Sequence, residues 1–307
     1  MKISDTIDRI YARLESRGYR STMVSIDHVH QMQSRFETEL SNGLINPEVR
    51  RAYLTNMSFS KSDNIADPRS VIIVAEPQPS IEVIFTVNCN KLPTIIPPTY
   101  LHSNDAEVEN MLTGLLNQQG YTAARAILPV KLLAVHSGLA KYGKNNIAYI
   151  SGLGSYHRLL AFYTDCPCPE DNWGDLQALD ECRDCQACTK KCPTGAISAD
   201  GFRIQAERCL TFFNEQTPDF PDWIDPSWHH CLVGCLHCQK ACPVNKDIKD
   251  WIQPSVEFSQ EETALLLKGT ALDDLPVETT KKLKQIYLDD SLDILPRNLN
   301  QLMQKPE

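Results

Sequence analysis

The sequence lacks any long apolar run and any excess of positive charge. No stretch approaches the roughly 18 apolar residues that a membrane-spanning helix needs. The first ten residues, MKISDTIDRI, hold polar and acidic side chains where a secretory signal has an apolar core. Lysine and arginine number 30 against 39 acidic residues, a net charge of −9, which provides no basic field for nucleic acid. These absences predict a cytoplasmic protein without membrane contact and make nucleic acid an unexpected partner.

The chain also has little in common with small disulfide-bonded proteins, although it contains 12 cysteines. Its 307 residues suffice for two domains, whereas disulfide scaffolds are typical of short exported chains. Eight of the nine cysteines from Cys182 to Cys242 stand at spacings typical of metal ligands, which indicates thiolates in a reducing compartment.

Four cysteines lie outside this pattern. Cys89 is expected to be a buried, inert thiol, with a redox-active or substrate-facing thiol as the alternative. Cys166 and Cys168 stand two residues apart, where a further metal site or a redox pair is the less favoured interpretation. Cys231 is close in sequence to the second of the ligand motifs.

Apolar periodicity predicts an α/β domain over residues 1–165. Amphipathic helices are predicted near the N-terminus, around residue 36 and over 105–118, and strands over 70–75 and 81–87, which are expected to be neighbours. Residues 92–99, LPTIIPPT, contain three prolines and are predicted to be irregular. A strand, a helix and a strand follow between 121 and 165. A cysteine-rich domain over 166–245 and a helical extension over 246–307 complete the predicted α+β architecture.

The first cysteine motif has the spacing of bacterial ferredoxins. It runs Cys182-x-x-Cys185-x-x-Cys188-x-x-x-Cys192-Pro. In this pattern three cysteines bind one [4Fe-4S] cluster and the fourth binds the other cluster of a two-cluster protein. The motif therefore predicts a second one, and a ferredoxin-like domain with two [4Fe-4S] clusters.

The second motif, Cys235-x-x-Cys238-x-x-x-Cys242-Pro, lacks its first cysteine, because Leu232 occupies that position. Cys209, between the two motifs, is the candidate replacement, and Cys231 is its rival. Cross-ligation then predicts two ligand sets. They are Cys182, Cys185, Cys188 and Cys242 for one cluster, and Cys192, Cys209, Cys235 and Cys238 for the other. A pair of four-thiolate zinc sites is the alternative, which the repeated Cys-Pro ending disfavours.

The order of motifs resembles that of the epoxyqueuosine reductase family, and the resemblance covers roughly residues 65–245. The segments that carry the resemblance are the first motif with CPTGAI, ERCLTFFNEQ, GCLHCQKACPVN, DPRSVI from Asp67, SGLAKYGKN from Ser137 and GSY from Gly154. The resemblance implies a cobalamin-binding α/β domain without the usual metal-ligand motif, and electron flow from the clusters to cobalt. Corrinoid-dependent reductive dehalogenases share this architecture.

The resemblance also implies where a corrinoid would bind. Glycines in GLAKYGKN would let the backbone approach a large flat ligand, and Lys144 and Asn145 would hydrogen-bond its amide rim. An ordinary loop between a helix and a strand is the alternative. The predicted cofactor-binding residues are Gly138, Leu139, Gly143, Lys144, Asn145, Gly154, Ser155 and Tyr156.

One departure from the family concerns the general acid. Epoxyqueuosine reductases carry an aspartate in a D-T-x-P stretch, and here the corresponding position holds Ala124. A proton donor is needed when an alkoxide leaves, so a different substrate is predicted. His136, Tyr156 and Tyr100 are the candidate proton donors or cobalt ligands, although a structural role is the commoner one for such residues.

These patterns predict an iron–sulfur oxidoreductase. An external donor, such as a ferredoxin or flavodoxin, would reduce the two clusters, and these would reduce a corrinoid that acts on a small molecule. The alternative is an electron carrier or corrinoid-reducing partner without substrate chemistry of its own.

Overall fold

The computed structural model describes residues 3–43, 45–55, 59, 65–198, 204–217 and 219–304. The helices in this part of the chain are α1 Ile3–Glu15, α2 Asp27–Ser41, α3 Pro47–Val49, α4 Asp105–Asn117, α5 Val130–His136, α6 Ala187–Lys191, α7 Leu210–Asn214, α8 His237–Lys240, α9 Gln260–Leu267, α10 Val277–Gln285 and α11 Leu295–Met303. The strands are β1 Arg20–Ser25, β2 Ser70–Pro77, β3 Ser80–Val87, β4 Asn90–Ile96, β5 Ala123–Ala126, β6 Lys141–Tyr142, β7 Ala148–Tyr149, β8 His157–Thr164 and β9 Ile252–Phe258.

The chain divides into two compact units. Unit 1 comprises Met1–Pro77 and Ser103–Asp184, and unit 2 comprises Gln78–His102 and Cys185–Glu307. The three predicted domain ranges, 1–165, 166–245 and 246–307, stay a prediction. The mixed α/β architecture that was expected is confirmed.

Unit 1 is built on a four-stranded antiparallel sheet in the order β1-β2-β8-β5. Side chains alternate across β2, so Val71 and Ile73 enter one core and Ile72 and Val74 enter the other. Helices α2 and α5 contribute to the first core, and α1 and α4 to the second. The predicted buried strand at β2 and the predicted helices at α1, α2 and α4 are confirmed.

The expectation that β3 neighbours β2 is wrong. Strands β1 and β8 occupy the two edges of β2, so β3 cannot pair with it. Instead β3 pairs with β4 and, in parallel, with β9 in a three-stranded sheet of unit 2. Apolar patterns identified both strands but carry no information about their partners.

The expectation that residues 92–99 are irregular is also wrong over most of that range. β4 runs through Pro93, which lies opposite Ile84 of β3. Because β4 is an edge strand, the missing N–H of proline costs no hydrogen bond within the ladder. A two-residue turn at Asn88 and Cys89, with φ of 49° and 64°, joins β3 to β4.

The C-terminal segment adds a strand and helices to unit 2. Helices α9 and α10 were expected there, whereas β9 was not. Ser259 and Glu262 form a capping box at the start of α9, which fixes where the strand ends and the helix begins. Together with α11 these elements enclose the apolar core around Phe85 and Phe258. None of the helices described is long and apolar enough to cross a membrane.

Candidate metal centre and cofactor segment

The two cysteine motifs fold alike in unit 2. Each places one cysteine just before a short helix, one inside the helix and one within two residues of its end, followed by proline. These are Cys185, Cys188 and Cys192 around α6, and Cys235, Cys238 and Cys242 around α8. Helices α6 and α8 pack against each other, which gives the pair the repeated geometry of a two-cluster ferredoxin domain.

Several thiols of unit 2 lie close together. Burial raises the pKa of the Cys209 thiol, and the nearby Cys192 adds to the shift. Burial also raises the pKa of the Cys235 thiol well above its usual value, with further contributions from Cys231 and Cys238 and a smaller one from Cys209. Neighbouring buried thiolates repel one another. They therefore ionise together only when a cation compensates their charge.

The surroundings of Cys209 favour it over Cys231 as the replacement ligand. Cys209 precedes α7, where the backbone N–H groups and hydroxyl at Thr211 and Phe212 offset part of the burial-induced rise in the pKa of its thiol. Amide donors at a helix start stabilise a thiolate. Cys231 is 1% exposed and lies in a β-bridge with Ile95. The assignment of ligands stays a prediction.

A hydrogen-bonded network holds the turn that precedes Cys235. The Asn298 amide of α11 donates to the carbonyls of Leu232 and Asn214, both at 2.9 Å. The Asn214 amide in turn donates to the Gly234 carbonyl at 2.7 Å. Gly234 has a φ of +65° and rests on the ring of Tyr100. The C-terminal helix therefore positions a predicted cluster ligand.

Gly234→Ala is expected to destabilise unit 2 through this close contact. A Cβ at Gly234 would lie 2.6 to 2.9 Å from three atoms of Tyr100, so the ring must shift. The left-handed φ adds about 1–2 kcal/mol and the overpacking about 1–3 kcal/mol to the loss of folding free energy. Gly195→Ala is the matched control, because Gly195 has a φ of +66° and no described atom within 4 Å of its Cβ position. Denaturant unfolding should show the larger loss of folding free energy for Gly234→Ala, and equal losses would show that the contact with Tyr100 does not stabilise unit 2.

The predicted cofactor residues lie together in unit 1, between the end of α5 and the start of β8. Gly138 follows α5 with a φ of +74°, and Leu139 packs against the first core. Strands β6 and β7 form a hairpin closed by a bond from Gly143 N to Ile147 O at 2.9 Å. The Asn145 amide donates to the Tyr149 hydroxyl at 2.9 Å, so part of its hydrogen-bonding capacity serves the hairpin itself.

This hairpin contacts the chain that leads to Cys182. Tyr142 N donates to Gln177 O and Leu179 N donates to Tyr142 O, both at 2.8 Å. At the hairpin turn, Lys144 N donates to the Cys182 sulfur at 3.4 Å. A predicted cofactor residue is therefore hydrogen-bonded to a predicted cluster ligand. Hydrogen bonds to cluster sulfurs are among the determinants of cluster potentials.

Two buried polar atoms lie on the same face of the unit 1 sheet, and no sequence motif marks either of them. Nδ1 of His157 and the hydroxyl of Tyr163 have no hydrogen-bond partner among the residues that the structure describes. Burial lowers the pKa of His157 to about 4 and raises that of Tyr163 to about 12, so both are neutral at pH 7. Alanines line the adjacent strand positions, and Ala124 lies directly opposite Tyr163. A buried polar atom without a hydrogen-bond partner is uncommon in folded proteins and is explained by a bound water or ion, by strain or by a functional role.

The three candidate proton donors have distinct surroundings. His136 stacks on Trp173 at 4.6 Å, and its Nδ1 donates to Gly174 O at 2.6 Å. Tyr156, next to His157, is 1% exposed. Tyr100 belongs to unit 2, where its hydroxyl donates to Glu215 and its ring packs on Gly234. His136 and Tyr156 thus lie in the unit of the cofactor segment, and Tyr100 lies in the other unit; their role as proton donors stays a prediction.

The cysteines outside the motifs differ from one another. The expectation that Cys89 is buried is wrong, because it lies exposed in the β3–β4 turn. The predicted strand over 81–87 did not indicate that a turn follows it. Burial raises the pKa of Cys166 and of Cys168 to about 11. Both thiols therefore stay protonated at neutral pH, which disfavours a nucleophilic role.

Residues 181–245 match the family model of the 4Fe-4S double cluster binding domain. This chain carries a domain for two [4Fe-4S] clusters. The match covers all eight predicted ligands, from Cys182 to Cys242. It agrees with the paired motif geometry around α6 and α8.

The predicted resemblance to epoxyqueuosine reductases is confirmed in sequence and in fold. The Bacillus subtilis enzyme is 30% identical over 138 residues, which is 45% of this chain and 34% of that protein. The Burkholderia pseudomallei enzyme is 32% identical over 139 residues, 43% of this chain and 34% of that protein. The matched part therefore spans about a third of the length of these curated relatives.

The fold likeness extends further than the sequence likeness. A structure of the B. subtilis epoxyqueuosine reductase superposes with a TM-score of 0.69 at 20% identity, covering 98% of this chain and 82% of that one. In that structure a catalytic loop with an aspartate is swung out of the active site. Because the sequence identity is 20%, this likeness establishes the fold of the chain alone.

Proposed function

We propose that this chain is an iron–sulfur reductase in which two [4Fe-4S] clusters pass single electrons to a corrinoid held by residues 137–156. The observation that carries the proposal is the hydrogen bond from Lys144 N to the Cys182 sulfur, 3.4 Å long. It joins the predicted cofactor segment to a predicted ligand of the first cluster. A short hydrogen-bonded path of this kind suits electron transfer from the first cluster to the corrinoid.

The cluster ligands follow the cross-ligated scheme of the sequence motifs. Cys182, Cys185, Cys188 and Cys242 bind one cluster, and Cys192, Cys209, Cys235 and Cys238 bind the other. An external protein of the ferredoxin or flavodoxin type delivers electrons. When bound, the corrinoid supplies a low-valent cobalt centre that is both a strong nucleophile and a strong reductant.

The residues of unit 1 fit a corrinoid. Its ring is large and flat with an amide rim, and Gly138 presents an exposed backbone with no described atom within 4 Å of its Cβ position. On one face of the unit 1 sheet, Nδ1 of His157 and the hydroxyl of Tyr163 have no hydrogen-bond partner among the described residues. Their alanine-lined surroundings match a ligand that is mostly apolar and carries a few polar groups.

The proton for a leaving oxygen comes from Tyr163 in this proposal. Ala124, which takes the place of the family aspartate, lies opposite Tyr163 on the paired strands β5 and β8. The pKa of Tyr163, raised to about 12 by burial, keeps the phenol protonated at neutral pH. An alkoxide is more basic than a phenolate, so proton transfer from the phenol to a departing alkoxide is downhill.

Tyr163→Phe tests this assignment. The variant removes a hydroxyl that has no partner among the described residues, so folding and iron content are expected to be unchanged. With cobalamin and a chemical reductant, turnover of an epoxide should fall by about 100-fold to 10,000-fold, the usual worth of a general acid. Turnover of an alkyl bromide should persist, because bromide leaves without a proton. Equal rates of the variant and the parent with the epoxide would exclude Tyr163.

Transfer RNA is the contrasting substrate class. An epoxyqueuosine reductase of similar fold, with a TM-score of 0.57 and 20% identity, was solved with an epoxyqueuosine-modified tRNA stem loop. The net charge of −9 and the alanine at position 124 favour a small electrophile for this chain. Incubation of the reduced protein with the modified stem loop distinguishes the two substrate classes. Loss of the epoxide would show that the substrate is transfer RNA.

The second candidate function is an electron carrier, which the missing aspartate at Ala124 favours. Metal analysis and visible spectra of protein purified without oxygen and then offered cobalamin distinguish the two. The reductase should contain about eight irons from two four-iron clusters and bind about one cobalt. Eight irons with no cobalt would support the carrier, and a colourless zinc protein would contradict both.

A further inference from the structure

An exposed tryptophan of unit 2 lies beside the predicted ligands of the second cluster. Trp223 is 45% exposed, although large aromatic side chains are usually mostly buried. The Arg208 guanidinium lies 5.5 Å from the centroid of its ring, and the ring of Phe213 lies nearly perpendicular to it at 5.4 Å. Phe213 belongs to α7, which begins directly after Cys209. The exposed indole is thus linked through Phe213, one helical turn away, to a predicted cluster ligand.

Arg208 connects this tryptophan to a second ligand of the same cluster. It is exposed and directly precedes Cys209, and its guanidinium donates to the Thr194 carbonyl at 3.3 Å. The Thr194 hydroxyl lies 3.5 Å from the sulfur of Cys192. Cys192 and Cys209 are both predicted ligands of the second cluster. The surface around Trp223 therefore adjoins two of the backbone segments that would hold that cluster.

Exposed lysines extend the positive charge of this surface along α6. Lys190 and Lys191 form the last turn of that helix and are both exposed. The sequence over residues 185–198 contains no aspartate or glutamate. Glu207 and Asp222 are the acidic neighbours in sequence of the arginine and the tryptophan, so cations outnumber carboxylates three to two. This is a local excess of positive charge in a chain whose net charge is −9.

We infer that an external one-electron donor protein with an acidic surface docks beside the second cluster. The docking surface consists of Lys190, Lys191, Arg208 and Trp223. Tryptophan and arginine are enriched among the residues that carry binding energy in protein interfaces, and complementary charge steers the encounter. Weak electron-transfer complexes need only a small contact area. At each encounter the reduced donor loses one electron and the second cluster gains it, with no bond formed or broken.

The inference rests on the proposed function. In that function the first cluster contacts the cofactor segment through Cys182, so the second cluster is left to receive electrons from outside. Transfer RNA is the contrasting occupant, because nucleic-acid bases stack on exposed tryptophan and arginine. A donor protein is favoured by the position of the surface beside cluster ligands, since a donor must approach a cluster and an RNA substrate need not. The two flanking carboxylates also disfavour a phosphate backbone.

Charge reversal at α6 tests the docking surface in the full chain with both clusters. A reduced, acidic [2Fe-2S] ferredoxin is mixed with the oxidised protein, and the reduced [4Fe-4S] signal is followed by EPR on rapidly frozen samples. Lys190→Glu/Lys191→Glu should lower the second-order rate constant about 10-fold to 1,000-fold at low salt, the range that electrostatic steering covers. The loss should disappear near 1 M salt, where the Debye length is about 3 Å.

Lys281→Glu/Lys284→Glu is the matched control. Both lysines are exposed on α10 of the same unit, and the variant has the same change in net charge. It should lose much less of the rate at low salt than the α6 variant does. Equal losses in the two variants would trace the effect to net charge and overturn the inference.

Trp223→Ser tests the aromatic part of the surface. The rate with ferredoxin should fall about 10-fold at low and at high salt, as for an interface residue that carries binding energy. Every variant should keep about eight irons. Reduction by dithionite in 1 M salt should match the parent, because a small reductant needs no docking surface. A parent that dithionite reduces and ferredoxin does not would overturn the inference.

The remaining outcomes separate the docking surface from the RNA alternative and from the proposed function. If ferredoxin reduces the parent and both variants alike, while the epoxyqueuosine-modified stem loop binds the parent alone, the surface takes RNA and the inference is overturned. Cobalamin that is reduced at the parent rate by ferredoxin in both variants would refute the docking surface alone. Clusters that are reduced through the surface but never reduce added cobalamin would refute the proposed function alone.

Discussion

Cys209→Ala is expected to lower the iron content from about eight to about four atoms per chain, with one cluster lost and the other retained. The second motif has leucine at position 232, where a ferredoxin has its first cysteine, so its cluster needs a ligand from elsewhere. Cys209 lies near Cys192, and donors in the first turn of α7 offset part of the burial-induced rise in the pKa of its thiol. A cluster with three protein ligands is exposed to solvent at its fourth iron and is readily degraded.

Cys231→Ala is the matched control for this experiment. Cys231 lies near Cys235 as Cys209 does, and both thiols are candidates by proximity. Cys231 is 1% exposed, so its replacement by alanine removes a similar volume of buried sulfur. The variant should retain about eight irons. If instead Cys231→Ala loses four irons and Cys209→Ala loses none, Cys231 is the ligand.

The cysteine spacing predicted the cluster domain because ligand geometry is local. A helix one turn long, preceded and followed by cysteine, has few ways to place its sulfurs, and both motifs share that form. The choice between Cys209 and Cys231 is not local. It depends on how α7 packs against the rest of unit 2, which spacing along the chain does not encode.

The sheets show the same division between local and distant information. Apolar runs identified β2 and β3, but the pairing of β3 with β9 joins residues about 170 positions apart. Proline content suggested an irregular segment where β4 forms, since the rule against proline in strands does not apply at a sheet edge. Tyr163 gave no signal because a tyrosine in an apolar strand is ordinary. Its significance arises from Ala124 on the neighbouring strand and from the absence of a hydroxyl partner among the described residues.

Gly138→Phe is expected to abolish cobalamin uptake while leaving about eight irons in place. Gly138 follows α5 in the predicted cofactor segment, with a φ of +74°. Because no described atom lies within 4 Å of its Cβ position, the side chain of a phenylalanine there begins in open space. It would fill the volume that the flat face of the corrinoid needs. Spectroscopic titration with cobalamin, together with iron analysis, measures both quantities.

Gly120→Phe separates this effect from backbone strain. Gly120 follows α4 with a φ of +81° and also has no described atom within 4 Å of its Cβ position. Both substitutions therefore incur the same left-handed penalty of about 1–2 kcal/mol at an exposed helix end of unit 1. Only Gly138 belongs to the segment between α5 and β8 that contacts Cys182 through Lys144. Loss of uptake in both variants would trace the effect to strain, and retention in both would exclude a corrinoid at Gly138.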